Sequence, residues 1–125
     1  MGRLEDIKEG SKINFLPILS DECERELIDI VKNEKPKNIL EIGTCVGYSS
    51  TKMLLNSDAH IDTMEIDPNS REKAIETWKE YKVEDRVTSY LGDVNEILED
   101  VVKDKMYDFI FIDGPKSWYL KHLNI

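Results

Sequence analysis

Apolar positions along this chain alternate between two spacings, short runs at the period of a strand and longer stretches at the period of a helix. Asn38-Ile39-Leu40-Glu41-Ile42 is a brief apolar run ending at a glycine turn and predicts strand one. His60 to Ile66 alternates imperfectly and predicts strand two, and Arg86 to Leu91 predicts strand three. Tyr107 to Ile112, apolar apart from Asp108, predicts a strand four covered on both faces. Helical spacing fills the gaps. Ser20 reads as an N-cap with Asp21, Glu22 and Glu24 in the first turn, Cys23, Leu27, Ile30 and Val31 as the buried stripe, and Pro36 as the stop. A second helix runs from about Gly47 to Leu55. Asp67-Pro68 is a cap followed by a first-turn proline, opening a helix with Arg71, Ala74, Ile75, Trp78 and Tyr81 at helical spacing. Gly92-Asp93-Val94-Asn95-Glu96 turns into a fourth helix, with Asp93 and Glu96 spaced as a capping box. A last short helical segment is expected to reach Ile125. Residues 1–19 have weak periodicity, with apolar residues clustered about Pro17, and read as a loosely held arm packing near the site or a partner; residues 20–125 form the folded domain.

The β-α-β-α alternation predicts an α/β fold, a parallel sheet with right-handed crossovers. Strands one and four adjacent, with two and three to one side, give the order 3-2-1-4. The crevice then lies over the C-terminal ends of strands one and four. Glu41–Ser49 and Asp113–Lys116 would face each other across it.

Charge and cysteines narrow the class. The 125 residues suffice for one core but are short for a complete doubly wound enzyme. A net charge of −9 disfavours a broad polyanion-binding surface, so DNA is not an expected partner. Cys23 and Cys45 lack metal-ligand spacing and read as free thiols of a reducing compartment. Met1–Gly10 carries no apolar secretory segment, and the run Phe109–Ile112 is far too short to span a bilayer. A soluble, cytoplasmic chain without a membrane partner is expected.

Chemistry concentrates at the strand ends. After strand one, Gly43 and Gly47 enclose a turn that opens a helix, which suits a polar small molecule at the backbone N–H groups. The middle glycine of a G-x-G-x-x-G fingerprint is absent, which disfavours a pyrophosphate, and no Gly-Lys-Ser/Thr follows for a P-loop. Glu41 would repel phosphate and attract an ammonium or a sulfonium, and S-adenosylmethionine carries both. Glu65, roughly 20 residues beyond the glycine turn, stands where nucleotide folds place an acid for ribose hydroxyls. Asp93 is a helix cap, a neighbour of the adenine edge together with the Val94 backbone and Gly92, or both at once. Thr44, Tyr48, Ser49 and Ser50 are candidates for the methionine end, with Ser49 alternatively only starting the helix, and Cys45 is read as a packing residue. Asp113 and Lys116 flank Gly114-Pro115 on a rigid turn: the carboxylate can ligate a hard cation such as Mg²⁺, and the lysine can acidify or deprotonate a hydroxyl. A solvated turn with a surface ion pair is the plainer alternative.

As a set, Glu41-Ile-Gly-Thr-Cys-Val-Gly-Tyr-Ser49, Met64-Glu65-Ile-Asp-Pro68, Arg86-Val-x-x-x-x-Gly92-Asp93 and Tyr107-Asp-Phe-Ile-Phe-Ile-Asp-Gly-Pro-Lys116 resemble the S-adenosylmethionine-dependent O-methyltransferases of the cation-dependent catechol and caffeoyl-CoA type. Within that type the pattern looks most like the bacterial branch that includes tRNA 5-hydroxyuridine methyltransferases. The resemblance implies a Rossmann-like class I methyltransferase fold with Glu41 and Gly43 beneath the methionine moiety, Ser49 at its carboxylate, Glu65 at the ribose and Asp93 at the adenine. It implies Asp113 as a metal ligand, Lys116 as the base, and a small phenolic or tRNA hydroxyl as acceptor. Family members continue beyond strand four with further strands and an Asp-Asn pair that completes the metal site. With the sequence stopping at Ile125, those strands are expected to be missing, the metal site incomplete, and strand four an open edge that invites homodimerisation. A non-catalytic cofactor-binding or interaction module is the alternative.

Overall fold

A computed structural model describes residues 2–5, 7, 21–112 and 118–121. Their elements are α1 (Asp21–Glu34), β1 (Asn38–Ile42), α2 (Tyr48–Leu55), β2 (His60–Glu65), α3 (Pro68–Glu80), β3 (Val87–Leu91), α4 (Val94–Val102), β4 (Phe109–Ile112) and β5 (Trp118–Lys121). The sheet order is β3-β2-β1-β4-β5. The first four strands are parallel, in the expected 3-2-1-4 order, and β5 runs antiparallel to β4.

Alternation along the strands sorts the core into two layers. Ile39, Ile61, Phe109 and Phe111 pack against Leu27 and Val31 of α1, Met53 and Leu54 of α2, and Ala74 and Trp78 of α3. Leu40, Met64 and Ile110, on the opposite face, meet Val101 and Val102 of α4. Both faces of the central strands are therefore buried, which is why β1 and β4 read as apolar runs. Asp108, the polar exception before β4, accepts the backbone N–H groups of Lys37 and Asn38 at 2.9 and 3.0 Å and so pins β4 beside β1. Arg86 fixes the α2–β2 connection by donating to the carbonyls of Leu54, Ser57 and Ala59.

Three expectations change. Trp118–Lys121 forms β5 rather than a helical segment, its register running from Ile112↔Trp118 to Phe109↔Lys121. A bare β4 edge offers a row of unpaired backbone groups, and pairing satisfies them at a cost a four-residue helix could not match. The β4 edge expected to be open is thus paired with β5. Second, Cys23 is exposed rather than part of the α1 stripe. Glu24 turns inward instead, its carboxylate accepting the Tyr48 hydroxyl and lying 3.6 Å from Lys52 Nζ. Third, at least part of the N-terminal arm is anchored: Leu4 is buried, and the Arg3 guanidinium donates to Thr77 Oγ1 at 2.6 Å. The Ser20 cap and the rest of the arm lie outside the described residues.

Candidate functional site

The C-terminal ends of β1, β2 and β3 open onto one cleft of about 150 Å³, lined by Ile42, Gly43, Met64, Glu65, Ile66, Gly92, Asp93 and Val94. Local chemistry brings each stretch there. The loop after β1 is short enough to need three left-handed residues, Gly43 at φ 95°, Cys45 at φ 51° and Gly47 at φ 83°. Glycine carries the first and last without steric cost. Gly47 is also the N-cap of α2, and a Cβ there would lie 3.1 Å from Ala74 Cα, so α3 can approach the loop only over a glycine.

Three consecutive residues of β2 hold this loop in place. Thr63 Oγ1 lies 2.7 Å from Thr44 Oγ1. The Met64 carbonyl accepts the N–H groups of Gly43 and Thr44 at 3.0 and 3.1 Å. Glu65 Oε1 accepts the Cys45 N–H at 2.7 Å, while its Oε2 accepts the Asp67 N–H at 3.0 Å. Glu65 thus ties the glycine loop to the start of α3 and still turns into the cleft wall, where each carboxylate oxygen keeps further acceptor capacity.

Beneath the loop sits Glu41, fully buried. Ser49 Oγ donates to its Oε2 at 2.6 Å and Thr63 Oγ1 to its Oε1 at 2.7 Å. A buried carboxyl group is costly unless donors converge on it, and two hydroxyls from α2 and β2 do so here. Ser49 therefore faces Glu41, and Thr44 is buried beside Thr63. Tyr48 is buried as well, and burial followed by the Glu24 hydrogen bond and charge holds its hydroxyl proton far above the ordinary tyrosine range.

Asp93 is both a helix cap and a residue of the cleft lining. Its Oδ1 accepts the Asn95 N–H at 2.9 Å, capping α4, and the residue lines the cleft. The cap reaches the second helical residue rather than closing the expected box onto Glu96. Asp67 is a helix cap, accepting from Asn69 N–H and Ser70 Oγ.

Of the residues expected around a cofactor, Gly43, Glu65, Gly92, Asp93 and Val94 meet in the cleft, while Glu41, Thr44, Gly47, Tyr48 and Ser49 build the layer that shapes its loop and Ser50 is buried, accepting from the Trp78 indole N–H. Asp113 and Lys116 lie outside the described residues. Among the described residues no group of three or more His, Cys, Asp or Glu side chains could hold a metal ion. Sequence reasoning passed over Ile42, Met64 and Ile66 as lining residues. Ile66 carried a signal: an isoleucine beyond the end of β2 and before the Asp67-Pro68 cap has little to pack on, and it is 64% exposed.

Residues 6–125 match the family profile described as O-methyltransferase. The chain belongs to the O-methyltransferase family. A caffeoyl-CoA O-methyltransferase of Medicago sativa is 28% identical across 98% of this chain and 51% of its own length. Among solved structures, the O-methyltransferase of Bacillus cereus in complex with S-adenosylhomocysteine superposes with a TM-score of 0.76 at 28% identity, covering 89% of this chain and 53% of that one. The S-adenosylhomocysteine-bound methyltransferase of Podospora anserina gives 0.77 at 28% identity over 91% and 51%. The chain spans about half the length of the curated relatives it matches. No helix of the described residues is long and apolar enough to cross a membrane.

Proposed function

We propose that this chain binds S-adenosylmethionine in the β1–β3 cleft and takes part in methyl transfer to a hydroxyl oxygen. The observation that carries the reading is the cleft itself, where Gly43, Glu65, Gly92, Asp93 and Val94 converge from three separate stretches of sequence. Its composition fits an adenosine: apolar surface from Ile42, Met64 and Ile66 for a flat heterocycle, and the Glu65 carboxylate as acceptor for vicinal ribose hydroxyls. Asp93 and the Val94 backbone, in the same lining, are offered to the adenine edge. Glu41, Ser49, Thr63 and Thr44 are hydrogen-bonded to one another beneath the loop, an arrangement that lowers the ordering cost of binding.

Bound S-adenosylmethionine supplies a sulfonium methyl group that an oxygen nucleophile can take, the sulfur keeping the bonding pair and leaving as S-adenosylhomocysteine. Within the same proposal, Lys116 takes the acceptor's proton and Asp113 contributes to a divalent cation site. Both assignments rest on the Asp113-Gly-Pro-Lys116 resemblance, and the work of the described residues is to bind and orient the donor. A small phenolic acceptor suits the net charge of −9 better than tRNA does. A cytoplasmic location agrees with Cys23 and Cys45 not being joined in a disulfide.

The test is methyl transfer from labelled S-adenosylmethionine to catechol, with and without Mg²⁺, in the chain and in Lys116→Ala. Transfer that needs Mg²⁺ and Lys116 supports the proposal. Donor binding without transfer to any hydroxyl favours a cofactor-binding module.

A further inference from the structure

We infer that Thr63, on the middle of β2, is a positioning residue for the S-adenosylmethionine loop, acting as the relay between Thr44 in the loop and Glu41 beneath it. The inference rests on the proposed binding of S-adenosylmethionine in the cleft.

Donor accounting gives the relay its direction. Thr63 has one hydroxyl proton, and it is donated to Glu41 Oε1 at 2.7 Å. The 2.7 Å contact between the Thr44 and Thr63 hydroxyls must then run from Thr44 to Thr63. The chain is Thr44 to Thr63 to Glu41, with Ser49 donating to the other carboxyl oxygen at 2.6 Å. All four residues are at most 2% exposed, so water does not substitute for a lost link.

Strand register makes the relay possible. Glu41 and Thr63 are Cα partners on neighbouring parallel strands and so share a face of the sheet. That face lies under the loop. Thr44 hangs from the loop onto Thr63 while the Gly43 and Thr44 amides close on the Met64 carbonyl. Side chain and backbone therefore fix the same peptide from two sides, next to Gly43 of the cleft wall. A valine at position 63 has nearly the shape of threonine but neither accepts from Thr44 nor donates to Glu41. The β-branched stem alone cannot hold the loop.

The test compares Thr63→Val and Thr63→Ser with the wild type by S-adenosylhomocysteine calorimetry, urea unfolding, and amide hydrogen exchange at Gly43, Thr44 and Cys45 without ligand. Thr63→Val is expected to weaken binding about tenfold and to speed exchange at the three amides, as loss of a buried donor-acceptor pair should. Thr63→Ser, which keeps the hydroxyl, is expected to restore both to within about twofold. A folded Thr63→Val with wild-type affinity and exchange overturns the inference while leaving the binding site intact. A wild type that binds no S-adenosylhomocysteine overturns the underlying reading, and with it this one. Should Thr63→Val not fold, Thr44→Val cuts the relay at its upper end: faster exchange at Gly43 and Cys45 supports the inference, and unchanged exchange refutes it.

Discussion

Glu65 Oε1 accepts the backbone N–H of Cys45 at 2.7 Å, so the carboxylate that faces the cleft also holds the left-handed non-glycine residue of the glycine loop. Binding and loop geometry are coupled through one side chain. Glu65→Ala removes the acceptor for both Cys45 and Asp67 and is expected to cost about 1–3 kcal/mol of stability, measured by urea unfolding. Glu65→Gln keeps one carbonyl acceptor, so a smaller loss is expected of it.

Ser49 is expected to matter to the fold through Glu41. Ser49→Ala removes one donor from a fully buried carboxyl group and should destabilise the chain by about 1–3 kcal/mol, whereas Ser49→Thr, which keeps the hydroxyl, should cost less. Equal unfolding midpoints for wild type and Ser49→Ala would show that the Glu41 pocket does not depend on this hydroxyl.

Gly47→Ala meets two obstacles at once, a left-handed φ of 83° and a Cβ position 3.1 Å from Ala74 Cα. Backbone must move on one side or the other. A loss of at least about 2 kcal/mol is expected from strain and displacement together. Thermal unfolding followed by circular dichroism measures it.

Alkaline pH separates the tyrosines. Burial, then hydrogen bonding to Glu24 and Asp62 respectively, raises Tyr48 and Tyr107 well above the ordinary value of 10.0. Burial alone would lower Lys105, but its hydrogen bonds to Tyr90 and Asp62 and the Asp62 charge outweigh that and raise it. All three groups bind protons more tightly folded than unfolded, so their contribution is complete below about pH 10 and is lost as pH climbs toward the folded values. Absorbance titration should find Tyr48 and Tyr107 resisting ionisation until the chain unfolds, and Tyr107→Phe should remove one of these two late transitions.

The sequence made the sheet legible because its strands are buried on both faces and its caps are explicit. Asp67-Pro68 starts α3 at Pro68, and Asp93 starts α4 at Val94, each within one residue of its signal. Glu65 was legible from its distance to the glycine turn. β5 was not: four residues carry too little period to separate strand from helix, and what decides is β4, an edge waiting to be paired. Nor could spacing reveal that Glu24 rather than Cys23 turns inward, because the reason is a tyrosine hydroxyl on another helix. The inward aim of Ser49 follows from Glu41 needing donors, and that of Thr44 from the Thr63 hydroxyl beside Glu41, demands visible only once β1 and β2 lie side by side.

The most direct measurement is calorimetric titration of the chain with S-adenosylhomocysteine, with NAD as the control and Glu65→Ala beside the wild type. Saturable binding by the wild type, weakened at least about tenfold in a folded Glu65→Ala and absent for NAD, is the predicted result. Wild-type affinity retained by Glu65→Ala, or a folded wild type that binds NAD and not S-adenosylhomocysteine, would contradict the assignment of the cleft.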